Sequence, residues 1–162
     1  LNALQKIKKK FPNILYLIAG KGPYLETIIN LTKKMDLEKN VKFLGWITEP
    51  EKSLILKNSD LFVMTPTTVG ESVEGFGMAY IDASFHGVAS IGSNSGGVSD
   101  AIIDNVTGII CEPGNQEMIT EKILLLLENK KLRLQMGEKG RIRALESYAW
   151  NRKVNEYLQL AS

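Results

Sequence analysis

The fold is decided by residues 61–97, which read LFVMTPTTVGESVEGFGMAYIDASFHGVASIGSNSGG. A short apolar run ends at Thr65 and is followed by a polar loop. Apolar residues at helical spacing then run from Gly77 to His86, and a second short apolar run and a turn of small residues close the segment. A strand, a helix and a second strand in this order are typical of a parallel β-sheet covered by helices.

The same alternation extends along the whole chain. Strands are predicted at Ile14–Ala19, Val41–Gly45, Leu61–Thr65, Val88–Ile91 and Gly108–Cys111. Helices are predicted at Tyr24–Met35, Glu49–Lys57, Gly77–His86 and Val98–Ile103, and then at Gln116–Asn129, Leu132–Ser147 and Trp150–Leu160. The pattern therefore predicts an α/β fold, a Rossmann-like parallel sheet flanked by helices, with a helical C-terminal tail.

Composition indicates one soluble domain. The 162 residues are 44% apolar and 23% charged, which suits a single domain with a sizeable core. Twenty basic and eighteen acidic side chains leave a net charge of only +2, so charge does not indicate a nucleic-acid partner. The basic run Lys6–Lys10 is interpreted as the solvated face of a helix, with a membrane or phosphate patch as the alternative.

Cellular location and completeness give further expectations. Cys111 is the only cysteine, so no internal disulfide can form, and we expect a buried thiol and a cytoplasmic protein. The sequence has neither an apolar run of about 20 residues nor a secretion signal. Because a helical pattern begins directly at Leu1, we expect a fragment, a single domain over residues 1–162 that lacks preceding sequence.

Small and polar residues follow nearly every predicted strand. In a parallel sheet these strand ends share one edge, where ligands bind. The first such turn, Gly20-Lys21-Gly22-Pro23, lacks the lysine and hydroxyl residue of a Walker loop and the third glycine of a dinucleotide fingerprint. It is interpreted as a strand-to-helix turn with Pro23 at the first helical position, and a turn lying beside the ligand remains the alternative.

The chemistry concentrates at the start of the helix that follows Glu74. Glycines at 75 and 77 allow close approach of the backbone, and a helix beginning there directs free N–H groups and its positive dipole end outward, as phosphate binding requires. The carboxylates of Glu74 and Asp82 can each accept hydroxyl hydrogen bonds, Glu74 from a hexose and Asp82 from a ribose. The alternative is that Glu74 caps the helix and Asp82 is a solvated acid.

Two other residue types carry weaker signals. His86 is the only histidine, which excludes a metal site built from a histidine cluster, and we predict no metal. Trp46 and Trp150 are interpreted as core or interdomain packing residues, with stacking on a base as the alternative.

The order of these motifs resembles a known family. It comprises Gly-x-Gly-Pro, Val41–Gly45, Pro66, Glu74-Gly75-Phe76-Gly77, Ser95-Gly96-Gly97, Thr107-Gly108 and Trp150. This order is similar to the C-terminal domain of glycosyltransferase family 4, the group 1 family of retaining enzymes with the GT-B fold. Residues 73–97 most resemble the branch of bacterial phosphatidylinositol mannosyltransferases.

The resemblance implies roles for individual residues. Glu74 would hold hydroxyls of the transferred sugar and be the catalytic residue, and Gly75, Phe76, Gly77, Met78 and Ala79 would bind donor sugar or phosphate. Asp82 would contact the ribose. Trp46 and Ile47 would lie near the base, and Gly20, Lys21 and Gly22 would form a turn at the rim.

The implied reaction is retaining transfer of a hexosyl group from a UDP- or GDP-sugar to a glycan or lipid-linked acceptor. The nucleotide-sugar is a substrate, so no cofactor is expected. The family's acceptor domain and its diphosphate-binding basic pair would lie upstream of Leu1, and so the chain alone is expected to be inactive. The resemblance leaves open whether the full-length enzyme docks peripherally on the inner face of a membrane.

The sequence departs from the family at three places. Asp82 replaces the usual second glutamate, which implies a looser or water-mediated ribose contact. Ala89 stands in a common proline position, and Ser99-Asp100 stands where Pro-Glu is frequent, changes expected to affect the backbone more than the chemistry.

Other functions remain open from sequence. One is a non-catalytic nucleotide-sensing or protein-interaction module on the same fold, and another is a nucleotide-sugar epimerase. A sugar phosphorylase would need a rim lysine for pyridoxal phosphate, and Lys21 is the only candidate.

Overall fold

The computed structural model describes residues 1–67, 75–149 and 154 of the chain. Helices and strands alternate as far as β5 and are followed by two helices. In chain order the elements are α1 (Asn2–Ile7), β1 (Tyr16–Ala19), α2 (Leu25–Lys34), β2 (Val41–Gly45), α3 (Glu49–Lys57), β3 (Phe62–Val63), α4 (Met78–Phe85), β4 (Ser90–Ser93), α5 (Val98–Ala101), β5 (Gly108–Cys111), α6 (Gln116–Glu128) and α7 (Lys130–Ser147).

The first of two compact units spans residues 1–52. Its strands β1 and β2 are parallel, and its core forms around Leu4, Leu37 and Val41. The buried Asn40 side chain donates to the carbonyl oxygens of Pro12 and Ile14, both at 2.9 Å, which fixes the chain where it enters β1. Helix α1 buries Ala3, Leu4 and Ile7 and exposes Lys6, whereas Lys8, Lys9 and Lys10 lie in the turns after it; the basic run is therefore largely solvated, but the helical face predicted for residues 6–10 ends at Ile7.

The second unit spans residues 53–162 and contains three parallel strands in the order β3-β4-β5. The central strand β4 is buried along its whole length. A core cluster of five buried residues joins α4 to α5, namely Tyr80, Ile81, Val98, Ala101 and Ile102.

Helix α7 packs closely against α4 and the turn after it. A Cβ atom on Gly137 would lie 1.9 Å from the carbonyl oxygen of Gly87, and one on Gly140 would lie 3.3 Å from the Ser84 hydroxyl. Glycine at these two positions therefore allows the helix to lie directly on backbone and small side chains.

A buried arginine joins α7 to two other parts of this unit. Arg133 is 8% exposed and donates to the carbonyl oxygens of Leu126 and Leu127, at 2.8 and 3.2 Å. Its other terminal nitrogen lies 2.7 Å from a carboxylate oxygen of Asp60, just before β3. The guanidinium thus satisfies the carbonyls at the end of α6 and anchors the start of β3.

The predicted α/β fold and the parallel pairing are confirmed, but the pairing into sheets and several strand bounds differ from the prediction. Strand β1 begins at Tyr16 rather than Ile14, and β3 covers only Phe62–Val63 of the predicted Leu61–Thr65. The strands pair in two sets, one in each unit, where the sequence predicts one sheet. Strand β4 begins at Ser90 rather than Val88, because Gly87 has a φ of 70° and the Val88 amide still bonds to the Ala83 carbonyl in the last turn of α4.

The predicted helix over Trp150–Leu160 lies outside the described residues except for Val154. In the parts of the chain that the structure describes, no helix has the length and apolar character needed to cross a membrane.

Candidate functional site

The start of α4 requires glycine at position 77. Gly77 is the residue before the helix and has φ 79° and ψ 46°, the left-handed conformation that other residues adopt at a cost. A Cβ atom there would lie 2.6 Å from the ring of Tyr80. The ring cannot give way easily, because Tyr80 is fully buried and its hydroxyl donates to the carbonyl oxygen of Met64.

The first turn of α4 presents a polar backbone beside an exposed segment. Met78 and Ala79 occupy this turn, where an α-helix offers no acceptor for amide groups. The Met78 side chain is 62% exposed, and Gly75 is exposed as well. Asp82 follows Met78 by four residues, so it lies on the same face of the helix, and it is half-buried.

The turn after β4 lies directly against this segment. A Cβ atom on Gly97 would be 2.0 Å from the carbonyl oxygen of Gly75 and 3.0 Å from Cα of Phe76. At the end of β4 itself, the buried Ser93 hydroxyl donates to the carbonyl oxygen of Pro66, which follows β3. The ends of β3 and β4 and the start of α4 therefore meet at one edge of the second unit, as predicted for a ligand site of a parallel sheet.

Phe76 contacts Tyr148, the residue after α7, and Tyr148 is in turn held by Arg143 of α7. Its ring packs edge to face on Tyr148, with the centroids 5.6 Å apart and the planes at 69°. The Tyr148 hydroxyl accepts a hydrogen bond of 2.7 Å from Arg143, which also donates to the carbonyl oxygens of Asp100 and Ala101. Sequence analysis did not identify these contacts.

The other predicted rim residues lie in the first unit. The Gly20 amide donates to the Gly45 carbonyl oxygen at 2.6 Å, so the turns after β1 and β2 meet. Both glycines have positive φ, 119° and 66°. Lys21 and Gly22 are exposed, and Ile47 is half-buried.

Two details in this unit differ from the sequence analysis. Trp46 is 78% exposed, so it is not a core residue of this chain; packing against another domain stays a prediction. Helix α2 begins at Leu25, two residues after Pro23, because the Leu25 amide closes a turn onto the Gly22 carbonyl first.

Cys111 is the thiol of the second unit. Cys111 is buried as expected, and this burial raises the pKa of its thiol; Lys122 opposes the rise, and Asp104 and Glu121 add to it. Within residues 1–67 and 75–149, no group of three or more His, Cys, Asp or Glu side chains is placed to hold a metal ion.

The structure thus brings Gly75, Phe76, Gly77, Met78, Ala79 and Asp82 together in the second unit and Gly20, Lys21, Gly22, Trp46 and Ile47 together in the first. Glu74 lies outside the described residues. The residues that support the helix start include Ser93, Arg143 and Tyr148, for which the sequence suggested no role, and Gly97, which was named only as part of the Ser95-Gly96-Gly97 turn. Their only signal in the sequence is a hydroxyl, a guanidinium or a glycine within an otherwise apolar or helical run.

Comparison with known proteins identifies the family. A model of the family described as glycosyl transferases group 1 matches residues 1–143. One curated relative, a GDP-mannose-dependent alpha-(1-6)-phosphatidylinositol monomannoside mannosyltransferase of Mycolicibacterium smegmatis, is 29% identical over all of this chain and 43% of its own length. The chain spans less than half of the length of the curated relatives it matches.

Solved structures agree in fold. HepE of Anabaena in complex with UDP-glucose superposes with a TM-score of 0.83 at 20% identity, over 98% of this chain and 43% of that one. The C-terminal domain of the glycosyl transferase group 1 family protein LpcC from Francisella tularensis gives 0.80 at 24% identity, over 92% and 77% of the two chains. The resemblance stated from motif order is therefore confirmed, and the chain belongs to the glycosyl transferases group 1 family.

Proposed function

We propose that this chain is the nucleotide-sugar-binding domain of a retaining glycosyltransferase, and that the start of α4 binds the donor. The observation that carries the proposal is the helix start itself. Gly77 adopts a conformation suited to glycine, and the amides of Met78 and Ala79 follow in a first turn beside the exposed Gly75. Such a helix end favours a negatively charged group such as a diphosphate.

The proposed roles follow the chemistry of a sugar diphosphate. Amides of Phe76 to Ala79 bind the sugar and the phosphates and stabilise the charge that develops on the leaving diphosphate. Glu74 accepts hydrogen bonds from hydroxyls of the transferred hexose, and Asp82 accepts one from the ribose, directly or through water. Trp46 and Ile47 lie near the base, and Gly20, Lys21 and Gly22 form a turn at the rim.

The relatives support a UDP- or GDP-sugar donor. The mannosyltransferase relative is named for GDP-mannose, and the structurally similar HepE is described with UDP-glucose. The name of the mannosyltransferase relative, which includes phosphatidylinositol monomannoside, also supports a glycolipid or glycan acceptor. We expect a part of the enzyme outside this chain to contact the acceptor, and we expect no cofactor beyond the donor substrate. Docking of the complete enzyme on a membrane surface would fit such an acceptor.

Binding to the chain is the first test. Ligand-observed NMR with GDP, UDP, ADP and NAD detects weak binding, and we expect a response to GDP or UDP that exceeds the response to NAD. Asp82→Ala should weaken the nucleotide signal, whereas Glu117→Gln, a change at an exposed acid in the first turn of α6, should leave it unchanged.

Activity is the second test and needs the complete enzyme. Glu74→Gln should abolish transfer and leave the melting temperature unchanged, because the amide has one accepting oxygen and no charge where the carboxylate has two accepting oxygens and a negative charge. Near-normal turnover in this variant would refute the role of Glu74. A chain that binds none of the four nucleotides would instead favour a protein-interaction module on the same fold.

A further inference from the structure

Phe76 is the one residue of segment 75–77 that has a side chain beyond the backbone. Two of its three residues are glycines, which have the greatest backbone freedom of any residue type. A Cβ atom on Gly75 would meet nothing within 4 Å. Phe76 therefore supplies the only side chain through which this segment can be fixed, and its ring packs against the core cluster around Tyr80.

The partner of that ring is itself held firmly. Tyr148 stands at the end of α7, and its hydroxyl donates to the Asp100 carbonyl oxygen at 3.1 Å. The guanidinium of Arg143 lies 5.1 Å from the centre of the Tyr148 ring, a favourable cation–π distance. Arg143 also donates to the Ala101 carbonyl oxygen at 2.8 Å, at the end of α5.

These contacts lead from segment 75–77 through Tyr148 and α5 back to the same segment. Segment 75–77 contacts Tyr148 through Phe76, and Tyr148 and Arg143 contact the end of α5. Gly97, the residue before α5, lies with its backbone against Gly75. A movement of the segment therefore requires a break in either the aromatic pair or the close backbone packing.

We propose that Tyr148 and Arg143 are positioning residues for the donor, acting through Phe76 to hold the amide groups of residues 76–79 in the orientation that binds the sugar diphosphate. This inference rests on the proposed function and deepens it. Neither residue needs to touch the donor. In the complete enzyme, their loss should lower kcat/KM for the donor, because the same amides bind the donor and stabilise the charge that develops on the leaving diphosphate, and Tyr148→Phe should restore most of it.

The test compares two substitutions of Tyr148 with a control substitution of Leu145. Tyr148→Leu removes the edge-to-face contact, and we expect about a fivefold rise in nucleotide Kd, the size of effect such an aromatic pair carries. Tyr148→Phe keeps the ring and should recover most of the affinity. Leu145→Ala alters a 47% exposed side chain one turn earlier on α7 and serves as the matched control with unchanged affinity.

Hydrogen exchange without any nucleotide separates the inference from the proposed function. The amides of Gly77, Met78 and Ala79 should exchange faster in Tyr148→Leu than in Tyr148→Phe or Leu145→Ala, under conditions where all three remain folded. Unchanged exchange in Tyr148→Leu would overturn the positioning role.

Nucleotide binding then distinguishes the two possible failures. A wild-type chain that binds no nucleotide overturns the proposed function and the donor role together, even if exchange responds as expected. A wild-type chain that binds nucleotide, with the same Kd in Tyr148→Leu, overturns this inference alone.

Discussion

Adding one methyl group at Gly97 should disturb the candidate site without changing its chemistry. In Gly97→Ala the new Cβ atom would lie 2.0 Å from the Gly75 carbonyl oxygen, whereas ordinary contact begins at 3.4 Å. The two backbones must therefore separate by about 1.4 Å, the difference between these distances. Neither backbone is the flexible end of a side chain, so the strain cannot relax through a rotamer change.

The size of the effect follows from overpacking and from chain length. Forcing a methyl group into a packed site costs about 1–3 kcal/mol. For a chain of 162 residues, a loss of about 2 kcal/mol lowers the melting temperature by roughly 4–8 °C. A misplacement of about 1 Å in binding groups can also reduce a catalysed rate roughly a hundredfold, so donor use should fall more steeply than stability.

Gly75→Ala is the matched control, because the same methyl group would enter open space at a position whose φ is not positive. Calorimetry and circular dichroism should show Gly97→Ala melting several degrees below wild type and Gly75→Ala within about 2 °C of it. Equal melting temperatures for the two variants would refute the close packing of Gly97 on Gly75.

Two further predictions concern stability. Arg133→Met should destabilise the second unit by about 1–3 kcal/mol in urea unfolding, because it leaves the carbonyls at the end of α6 without their donor, whereas the Asp60 carboxylate that it also frees is exposed to solvent; a midpoint equal to that of wild type would exclude this role. The free energy of unfolding should also fall as the pH rises above about 9, because burial raises the pKa of the Cys111 thiol above its ordinary 9.0. As the pH rises, the thiol of the unfolded chain loses its proton first, which stabilises the unfolded state. If the free energy of unfolding of Cys111→Ala fell with pH as steeply as that of wild type, this prediction would be contradicted.

Periodicity predicted the elements well where burial alone decides them. The predicted bounds of β2, α3 and β5 are those of the structure, since each has a clear apolar pattern between turn residues. Strand β4 was predicted two residues early because Val88 is apolar and buried like a strand residue, although its amide completes the last turn of a helix. Apolar pattern reports burial but not the partner of a backbone amide.

The helix start of the candidate site was also predictable, since glycines around a helix start have a local cause in backbone conformation. Its supports were not. Gly97 meets Gly75 and Tyr148 meets Phe76 across long stretches of chain, and contacts between distant residues leave no periodic trace in the sequence. Trp46 shows a second limit of prediction from sequence. A large apolar side chain at a strand end is equally compatible with burial and with contact to a ligand, so the sequence could not decide between them.

The close packing of α7 on α4 has a consequence for biosynthesis. Helix α4 bears the first-turn amides of the candidate site, yet the turn that ends it is covered by Gly137, which the ribosome adds many residues later. While residues 130–147 are still being made, the nascent chain exposes Ser84 and Gly87, together with the apolar surface around them. We therefore expect the newly made site to mature late, and a pause in translation within α7 to prolong the period in which chaperones must protect it.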